Sequence, residues 1–315
     1  MIMKLQKIKK NKILILGGGG LIGKETTQFF LNKNCEITVI DKNVSSLKKI
    51  YSKNKHKLKL YKNDIIFFKQ NKKIFSQHNI IINCIGLNDH SLGINRPELD
   101  VKINISSILH VVKYFENKKV IHIGTTHQYS GSNNKIKEFG ETLATDIQGI
   151  SKNAVENYLI FYAKKYKFKL ICLRVGNSFG SFEKNFIDNK KGLVYEIFYY
   201  LLKNKKFILY KKNIKKNFCY IPDIVKAINF LIHRNIQSPE IYNFIQYNIT
   251  IENFLKKIIK IIKFGKIIYS KKIVATNNFD FSQMRKGSFY KIFPKISGEN
   301  INNAIKNSLE LYKII

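Results

Sequence analysis

Four polar residues in the middle of the chain have the types expected of an acid–base site. Thr125 and His127 follow the apolar run VIHIG, and Gln148 and Lys152 lie four residues apart in QGISK. Positions i and i+4 of a helix share a face, so Gln148 and Lys152 would project together from a helix. An imidazole transfers protons near neutral pH, whereas an amide forms hydrogen bonds without titrating. Gln148 can therefore orient a ligand but cannot carry a proton.

A glycine-rich turn near the N-terminus predicts a dinucleotide site. The segment ILILGGGGLIGKE places Gly17, Gly20 and Gly23 in GxxGxxG spacing between an apolar strand and a helix. Glycine allows the tight turn, the close approach of the backbone to a pyrophosphate, and the packing of helix on strand. Asp41 ends the next strand, where a carboxylate accepts hydrogen bonds from ribose hydroxyls and repels a 2′-phosphate. This pattern favours NAD over NADP; the alternative is a structural turn without a ligand.

A second acidic residue extends the predicted cofactor site. Asp64 in KNDII closes a predicted third strand, where it either meets the adenine amino group or only caps the strand end. The cofactor contacts predicted around the turn and the two acids are Gly17, Gly20, Leu21, Ile22, Gly23, Asp41, Asp64 and Ile65.

Short apolar runs alternate with helical stretches, which predicts an α/β fold with a parallel sheet. The predicted strands are KILIL, EITVI, NDIIFF, IIINCIG, VIHIG and KLICLRV, and ISSILHVVKYFENK is the predicted crossover helix before VIHIG. After KLICLRV, strand-like and helix-like segments no longer alternate regularly. With 315 residues the chain is long enough for two lobes. We expect an NAD-binding lobe over 1–175, to which 211–236 returns, and a smaller lobe over 176–315.

The composition is strongly basic, with 56 lysine and arginine residues and a formal net charge of +35. Only four of these residues are arginine, and the lysines are scattered along the chain, which indicates compositional bias more than a nucleic-acid face. The four cysteines lie far apart in apolar runs and form no CxxC pair, so we expect reduced core thiols and no metal site. The apolar run before Gly17 is too short to be an export signal or a membrane span, which predicts a soluble cytoplasmic protein.

Together these landmarks resemble the extended short-chain dehydrogenase/reductase family, the NAD-dependent nucleotide-sugar epimerases, dehydratases and reductases. The segments that carry the likeness, in the family's order, are the GxxGxxG turn, IIINCIG, DVKINISS, VIHIGTTHQYSG, QGISK, LRVGNSFG and NFCYIPDIVKAI. The resemblance implies a Rossmann-type, doubly wound sheet with a smaller C-terminal substrate-binding lobe. It also implies that Lys152 holds the nicotinamide ribose and that Thr125 hydrogen-bonds the sugar hydroxyl being oxidised.

Two positions depart from the pattern of that family. Gln148 stands where the family has the tyrosine that exchanges a proton during hydride transfer. His127 stands where dehydratases have a glutamate that moves protons on carbon, so the resemblance makes His127 an acid–base candidate. The alternative is a histidine that merely hydrogen-bonds backbone at a strand end.

The resemblance also supplies substrate contacts. Asn177 of RVGNSFG matches an asparagine that contacts the nucleotide sugar, and Lys216 matches an arginine that grips the diphosphate. His90 and Asn104 are further candidates near the expected nicotinamide.

The implied activity is oxidation of a nucleoside-diphosphate sugar, coupled to epimerisation, dehydration or reduction, for surface polysaccharide synthesis. The alternative is an NAD- and nucleotide-sugar-binding protein with little catalysis that serves an active homologue. By resemblance, helices around 104–116 and 151–166 form a homodimer.

Overall fold

The computed structural model describes residues 11–69, 71–132, 136, 141–180, 187, 192–210, 213–271 and 298–311. Its strands, numbered along this described part, are β1 (Lys12–Leu16), β2 (Glu36–Asp41), β3 (Leu58–Lys62), β4 (Ile80–Asn83), β5 (Lys119–Thr125), β6 (Lys169–Val175), β7 (Asn177–Phe179), β8 (Lys206–Leu209), β9 (Lys215–Tyr220), β10 (Glu240–Phe244), β11 (Tyr247–Thr250) and β12 (Lys266–Tyr269).

The helices, numbered in the same way, are α1 (Leu21–Asn32), α2 (Lys48–Lys53), α3 (Asn71–Ser76), α4 (His90–Asn95), α5 (Pro97–Val101), α6 (Ser107–Val111), α7 (Ile147–Lys165), α8 (Leu193–Asn204), α9 (Ile221–His233), α10 (Ile251–Ile262) and α11 (Ile301–Leu311). A π-helical turn, Lys102–Ser106, joins α5 to α6, and a 3-10 turn, Thr126–Tyr129, follows β5.

Seven parallel strands form the central sheet in the order β3-β2-β1-β4-β5-β6-β10. The middle strands are mostly apolar because helices cover both faces of the sheet. Helices α1 and α9 pack on one face, and α3, α6 and α7 pack on the other. The strand order reverses between β1 and β4, and this reversal opens a crevice beyond the carboxyl ends of the two strands.

The second lobe has its own apolar core. Strands β11, β9 and β7 form a three-stranded sheet, and β12 pairs with β8. The amphipathic helix α10 buries Phe254, Leu255 and Ile258 against this lobe, together with apolar side chains of α8 and α11. In the described part of the chain, no helix is long and apolar enough to cross a membrane.

The predicted α/β class and the doubly wound sheet are confirmed, but the predicted third strand is misplaced. NDIIFF forms turns, and the strand is the preceding LKLYK, Leu58–Lys62. This strand lies at the sheet edge, where lysine side chains reach solvent, so its apolar signal is weaker than that of the turn after it. The division into two lobes at residue 175 stays a prediction; the seventh strand of the central sheet is drawn from Glu240–Phe244.

Candidate active site

Two adjoining cavities occupy the crevice at the strand reversal. The first, of about 310 Å³, runs from the glycine turn past Asp41 to Asp64 and Ile65. The second, of about 180 Å³, runs from the start of α1 to Thr125, His127, Gln148 and Lys152. Gly20, Cys84 and Gly86 line both cavities, so the two spaces meet between the glycine turn and the end of β4. An elongated ligand can therefore lie across the crevice with one end in each cavity.

The backbone of the glycine turn leaves no room for larger side chains at two of its positions. Gly17 has φ +77°, and a Cβ atom added to it would lie 2.7 Å from the backbone nitrogen of Ile85. A Cβ atom added to Gly23 would lie 2.3 Å from the carbonyl oxygen of Gly17. Gly20 is the N-cap of α1 and has no side-chain cap, so backbone N–H groups at this helix end are available to an anion. The turn therefore fits a pyrophosphate.

Asp41 and Asp64, both predicted cofactor contacts, line the first cavity. Each oxygen of Asp41 accepts a backbone N–H at 2.8 Å, one from Gly19 and one from Asn43. Burial raises the pKa of the Asp41 carboxyl, although these two hydrogen bonds oppose the shift. Asp64 forms an ion pair of 2.9 Å with Lys42; burial raises the pKa of Asp64, but Lys42 brings it below its usual value.

The remaining predicted cofactor contacts fall on both sides of the junction. Ile65 is buried and lines the first cavity, while Leu21 and Ile22 line the second. Cys84, predicted as a core thiol, is only half-buried and lies at the junction, whereas the other three cysteines are buried. Burial nevertheless raises the pKa of the Cys84 thiol to about 12, so it is protonated at neutral pH.

Thr125 and His127 lie at the end of β5, where the chain turns into a 3-10 helix. The Oγ1 atom of Thr125 accepts the backbone N–H of His127 at 3.2 Å, which places both side chains on the wall of the second cavity. The Nδ1 atom of His127 lies 2.8 Å from Oδ2 of Asp146. Asp146 also caps α7, since its Oδ1 accepts the backbone N–H of Gly149 at 2.8 Å. The imidazole of His127 is thus held by a carboxylate side chain.

Gln148 and Lys152 share one face of α7, as their spacing predicts. Gln148 is half-buried, and its Nε2 atom donates a long hydrogen bond of 3.4 Å to Asn88. Lys152 is buried, and its Nζ atom donates to the carbonyl oxygens of Ile85 at 2.7 Å and Ile123 at 3.4 Å. Burial lowers the pKa of Lys152 to about 8. A fixed ammonium and an untitratable amide therefore face the same cavity.

The four predicted substrate contacts fall in different places. Asn177 lines the second cavity. Lys216 lies on β9 outside the lining of both cavities; burial lowers its pKa to about 8, against the opposing charge of Asp146. His90 is exposed at the start of α4. Asn104 is buried away from both cavities, so these contacts do not support a direct role for it in substrate binding.

Asn104 instead joins three segments behind the site. Its Oδ1 atom accepts the backbone N–H of Leu87 at 3.0 Å, and its Nδ2 atom donates to Asp100 at 2.6 Å and to Ser151 at 3.3 Å. This arrangement fixes the loop after β4 against α7, so Asn104 supports the wall that carries Lys152.

Tyr129, the tyrosine nearest the site in sequence, does not replace the residue missing at position 148. It is fully buried, its hydroxyl bonds Arg174 and Asn243, and burial raises its pKa. Asp146, in contrast, contacts the His127 ring directly, and sequence reasoning missed this residue. An acidic residue just before a helix is an N-cap signal, and that signal was present in TDIQGISK.

Comparison with known proteins gives matches over most of the chain. The sequence profile of the "NAD dependent epimerase/dehydratase family" matches residues 13–244. The dTDP-4-dehydro-6-deoxyglucose reductase of Escherichia coli is 26% identical over 231 residues, which cover 70% of this chain and 72% of the relative.

Two solved structures share the fold. UDP-glucose 4-epimerase from Thermotoga maritima, solved with UDP-glucose, superposes with a TM-score of 0.79 at 20% identity, covering 96% of this chain and 98% of that one. The dTDP-glucose 4,6-dehydratase from Bacillus anthracis, solved with NAD, gives a TM-score of 0.78 at 17% identity over 96% of each chain.

Proposed function

This chain belongs to the NAD-dependent epimerase/dehydratase family, and on that premise we propose that it modifies a nucleoside-diphosphate sugar through a site that lacks the usual tyrosine. NAD is its cofactor, which accepts and returns hydride when bound. The observation that carries the proposal is the joining of the two cavities: Gly17, Asp41, Asp64 and Ile65 line one, and Thr125, His127, Gln148 and Lys152 line the other.

A third cavity supports a nucleotide as part of the substrate. It has a volume of about 430 Å³, lies in the second lobe and is lined by Tyr200, Phe207 and Tyr210 among mostly apolar side chains. Flat aromatic and apolar walls suit a nucleobase, because ring faces stack. Leu193 lines both this cavity and the second one, so a base held here has its sugar directed toward Thr125. Lys216 remains our candidate for binding the diphosphate on the resemblance alone, since it lines neither of these two cavities.

The site divides the proton chemistry between two places. Oxidation of a sugar hydroxyl releases a proton that Gln148 cannot accept, so the hydroxyl of Thr125 and water held by Gln148 and Lys152 carry it. Protons on carbon are assigned to His127, because an imidazole can both accept and donate a proton.

Finer features of the proposal rest on the resemblance. We assign the product to surface polysaccharide synthesis in the cytoplasm and expect a homodimer. The exposed apolar side chains Ile150, Tyr158 and Phe161 on α7 support the dimer, because they share a helix face left uncovered in the monomer.

The test is a panel of UDP-, GDP-, dTDP- and CDP-sugars incubated with the purified protein and NAD in deuterium oxide. We expect reduction of NAD or incorporation of solvent deuterium into one sugar, and loss of incorporation in His127→Ala with NAD binding retained. Absence of bindable NAD would contradict the proposal. NAD binding without hydride transfer or deuterium incorporation would favour the second candidate function, a nucleotide-sugar-binding partner of an active homologue. The observation that favours this second candidate is Gln148, whose amide does not titrate.

A further inference from the structure

We infer that Asp146 is a positioning residue that turns His127 into a directional acid–base group, because it holds the Nδ1 atom of the ring and so assigns proton exchange to Nε2. This inference rests on the proposed function, in which His127 moves protons on carbon. It adds a carboxylate, 19 residues away in sequence, that neither the fold nor the family resemblance assigned.

The carboxylate of Asp146 is fixed at both oxygens. Oδ2 lies 2.8 Å from Nδ1 of His127, and Oδ1 accepts the backbone N–H of Gly149 at 2.8 Å. The backbone N–H of Asp146 itself donates to the Oγ atom of Ser130 at 3.1 Å. A carboxylate accepts hydrogen bonds and does not donate them, so it selects the ring form that carries a proton on Nδ1.

The backbone explains why the two side chains meet. A Cβ atom added to Gly149 would lie 2.2 Å from the carbonyl oxygen of His127, so the first turn of α7 packs directly on the backbone of the 3-10 turn. Only glycine permits this approach. The close packing brings the helix N-cap within hydrogen-bond distance of the imidazole.

The charges around the pair favour an ionised Asp146. The cationic or titratable groups around the pair are Lys152, which lines the same cavity as His127, Lys216 on β9 and His90 at the start of α4. Tyr195 lines that cavity as well. Burial raises the pKa of the Asp146 carboxyl, but the hydrogen bonds from His127 and Gly149 and the nearby His90 bring it below its usual value. Asp146 is therefore an anion at neutral pH, suited to stabilise an imidazolium.

The proton step balances without further reactants once the sugar carries a ketone. The C–H bond on the neighbouring carbon breaks, its proton passes to Nε2 of His127, and its electron pair moves to the ketone oxygen as an enolate. The imidazolium then returns the proton to carbon, for epimerisation, or to a departing hydroxyl, for dehydration. Asp146 keeps its negative charge throughout and does not take the proton.

Two substitutions separate this role from helix capping. Asparagine and serine both accept the Gly149 N–H at an N-cap, so Asp146→Asn and Asp146→Ser keep the start of α7. In Asp146→Asn, capping by the amide oxygen leaves the amide nitrogen against Nδ1, which selects the opposite tautomer; the serine hydroxyl is too short to reach the ring. Asp89→Asn is the matched control, because Asp89 caps α4 through Leu92 at 2.9 Å.

The readouts are the ring tautomer, by ¹⁵N NMR of labelled histidine, and incorporation of solvent deuterium into the substrate. For the full-length protein with NAD bound, we expect the Nδ1–H form in the wild type and its loss in both Asp146 variants. Deuterium incorporation should fall by about 10²- to 10⁴-fold, while NAD affinity and the melting temperature stay near wild type. The Asp89→Asn control should behave as wild type in every measurement.

An unchanged tautomer in Asp146→Asn and Asp146→Ser would overturn the inference, as would wild-type deuterium incorporation in these variants. If the wild type transfers no hydride from any nucleotide sugar, the proposed function fails instead. The NMR measurement still decides whether Asp146 directs His127 in that case, because it requires no turnover.

Discussion

Gln148 leaves the proposed oxidation of the sugar hydroxyl without a titratable side chain at the position where the family pattern has tyrosine. Its amide faces the second cavity beside Lys152 and forms only a long hydrogen bond of 3.4 Å to Asn88 among its described contacts. It can align a hydroxyl but cannot remove its proton. We therefore expect transfer of the hydroxyl proton to be the slow step of the proposed reaction. Proton transfer on carbon, assigned to His127, does not depend on Gln148.

Gln148→Tyr should accelerate oxidation of the sugar hydroxyl by about 10²-fold or more, because it supplies a titratable group one helical turn from Lys152. The measurement is single-turnover reduction of NAD. Gln148→Phe is the matched control, since it has similar bulk without the hydroxyl and should show no gain. A slower reaction in Gln148→Tyr than in Gln148→Phe would mean that the amide belongs to a different mechanism.

Lys152 gives the site a pH dependence with a defined sign. Its ammonium loses its proton as the pH rises through about 8, whereas the unfolded chain keeps that proton up to about 10.5. The unfolded state binds more protons between these values, so the contribution of Lys152 to stability rises across that window. In its proposed role of holding the nicotinamide ribose, Lys152 loses the charge that strengthens its hydrogen bond over the same window.

We therefore expect NAD affinity to weaken as the pH rises above about 8 in the wild type. Lys152→Met should bind NAD at least about tenfold more weakly near neutral pH, since a charged hydrogen bond is lost, and should show no further weakening through this window. Calorimetric titration checks both effects, with the exposed Lys164→Met as control. A pH dependence of NAD affinity that persists in Lys152→Met would contradict its assignment to Lys152.

At the level of elements, sequence patterns gave the buried strands and the helix that carries the site. VIHIG and KLICLRV lie within β5 and β6, and most of their side chains are apolar because helices cover both faces of these strands. The edge strand LKLYK was missed because its alternating lysines resemble the lysine-rich loops around it. Asp146 was missed because its partner lies across a turn, and pairing between separate segments depends on tertiary packing that periodicity does not encode.

Two glycines of the segment from β1 to α1 should respond differently to substitution by alanine, one in protein stability and the other in NAD binding. Gly23→Ala places a methyl group 2.3 Å from the carbonyl oxygen of Gly17, so α1 must shift and the protein should lose stability. The methyl group of Gly20→Ala meets only that oxygen, at 3.6 Å, and fits the folded chain. It instead obstructs the approach of a pyrophosphate to the turn.

We expect Gly23→Ala to lower the midpoint of denaturant unfolding clearly. Gly20→Ala should leave that midpoint near wild type and weaken NAD binding by about tenfold or more, as measured by calorimetry. Each variant serves as the control for the other. Full NAD affinity in Gly20→Ala would place the pyrophosphate elsewhere.

For the whole molecule, we propose that the exposed apolar face of α7 forms the interface of the homodimer. Ile150, Tyr158 and Phe161 have exposed fractions of 49%, 47% and 61%, although this helix also carries Lys152 into the site. Phe161→Asp should convert a homodimer to a monomer, because burying an unpaired carboxylate in an apolar interface is unfavourable. Light scattering coupled to size exclusion measures the mass. Phe264→Asp, after α10 in the second lobe, is the control and should remain dimeric.

The seventh strand of the central sheet has a consequence for how the protein is made. β10 pairs with β6 only after the chain has passed through β7, α8, β8 and β9 of the second lobe, and α9 covers α1 from the same late segment. On the ribosome, a nascent chain that has just released β6 would present an open strand edge and the uncovered face of α1. Because contacts distant in sequence form slowly, the NAD-binding lobe stays vulnerable to aggregation until residues near 244 emerge.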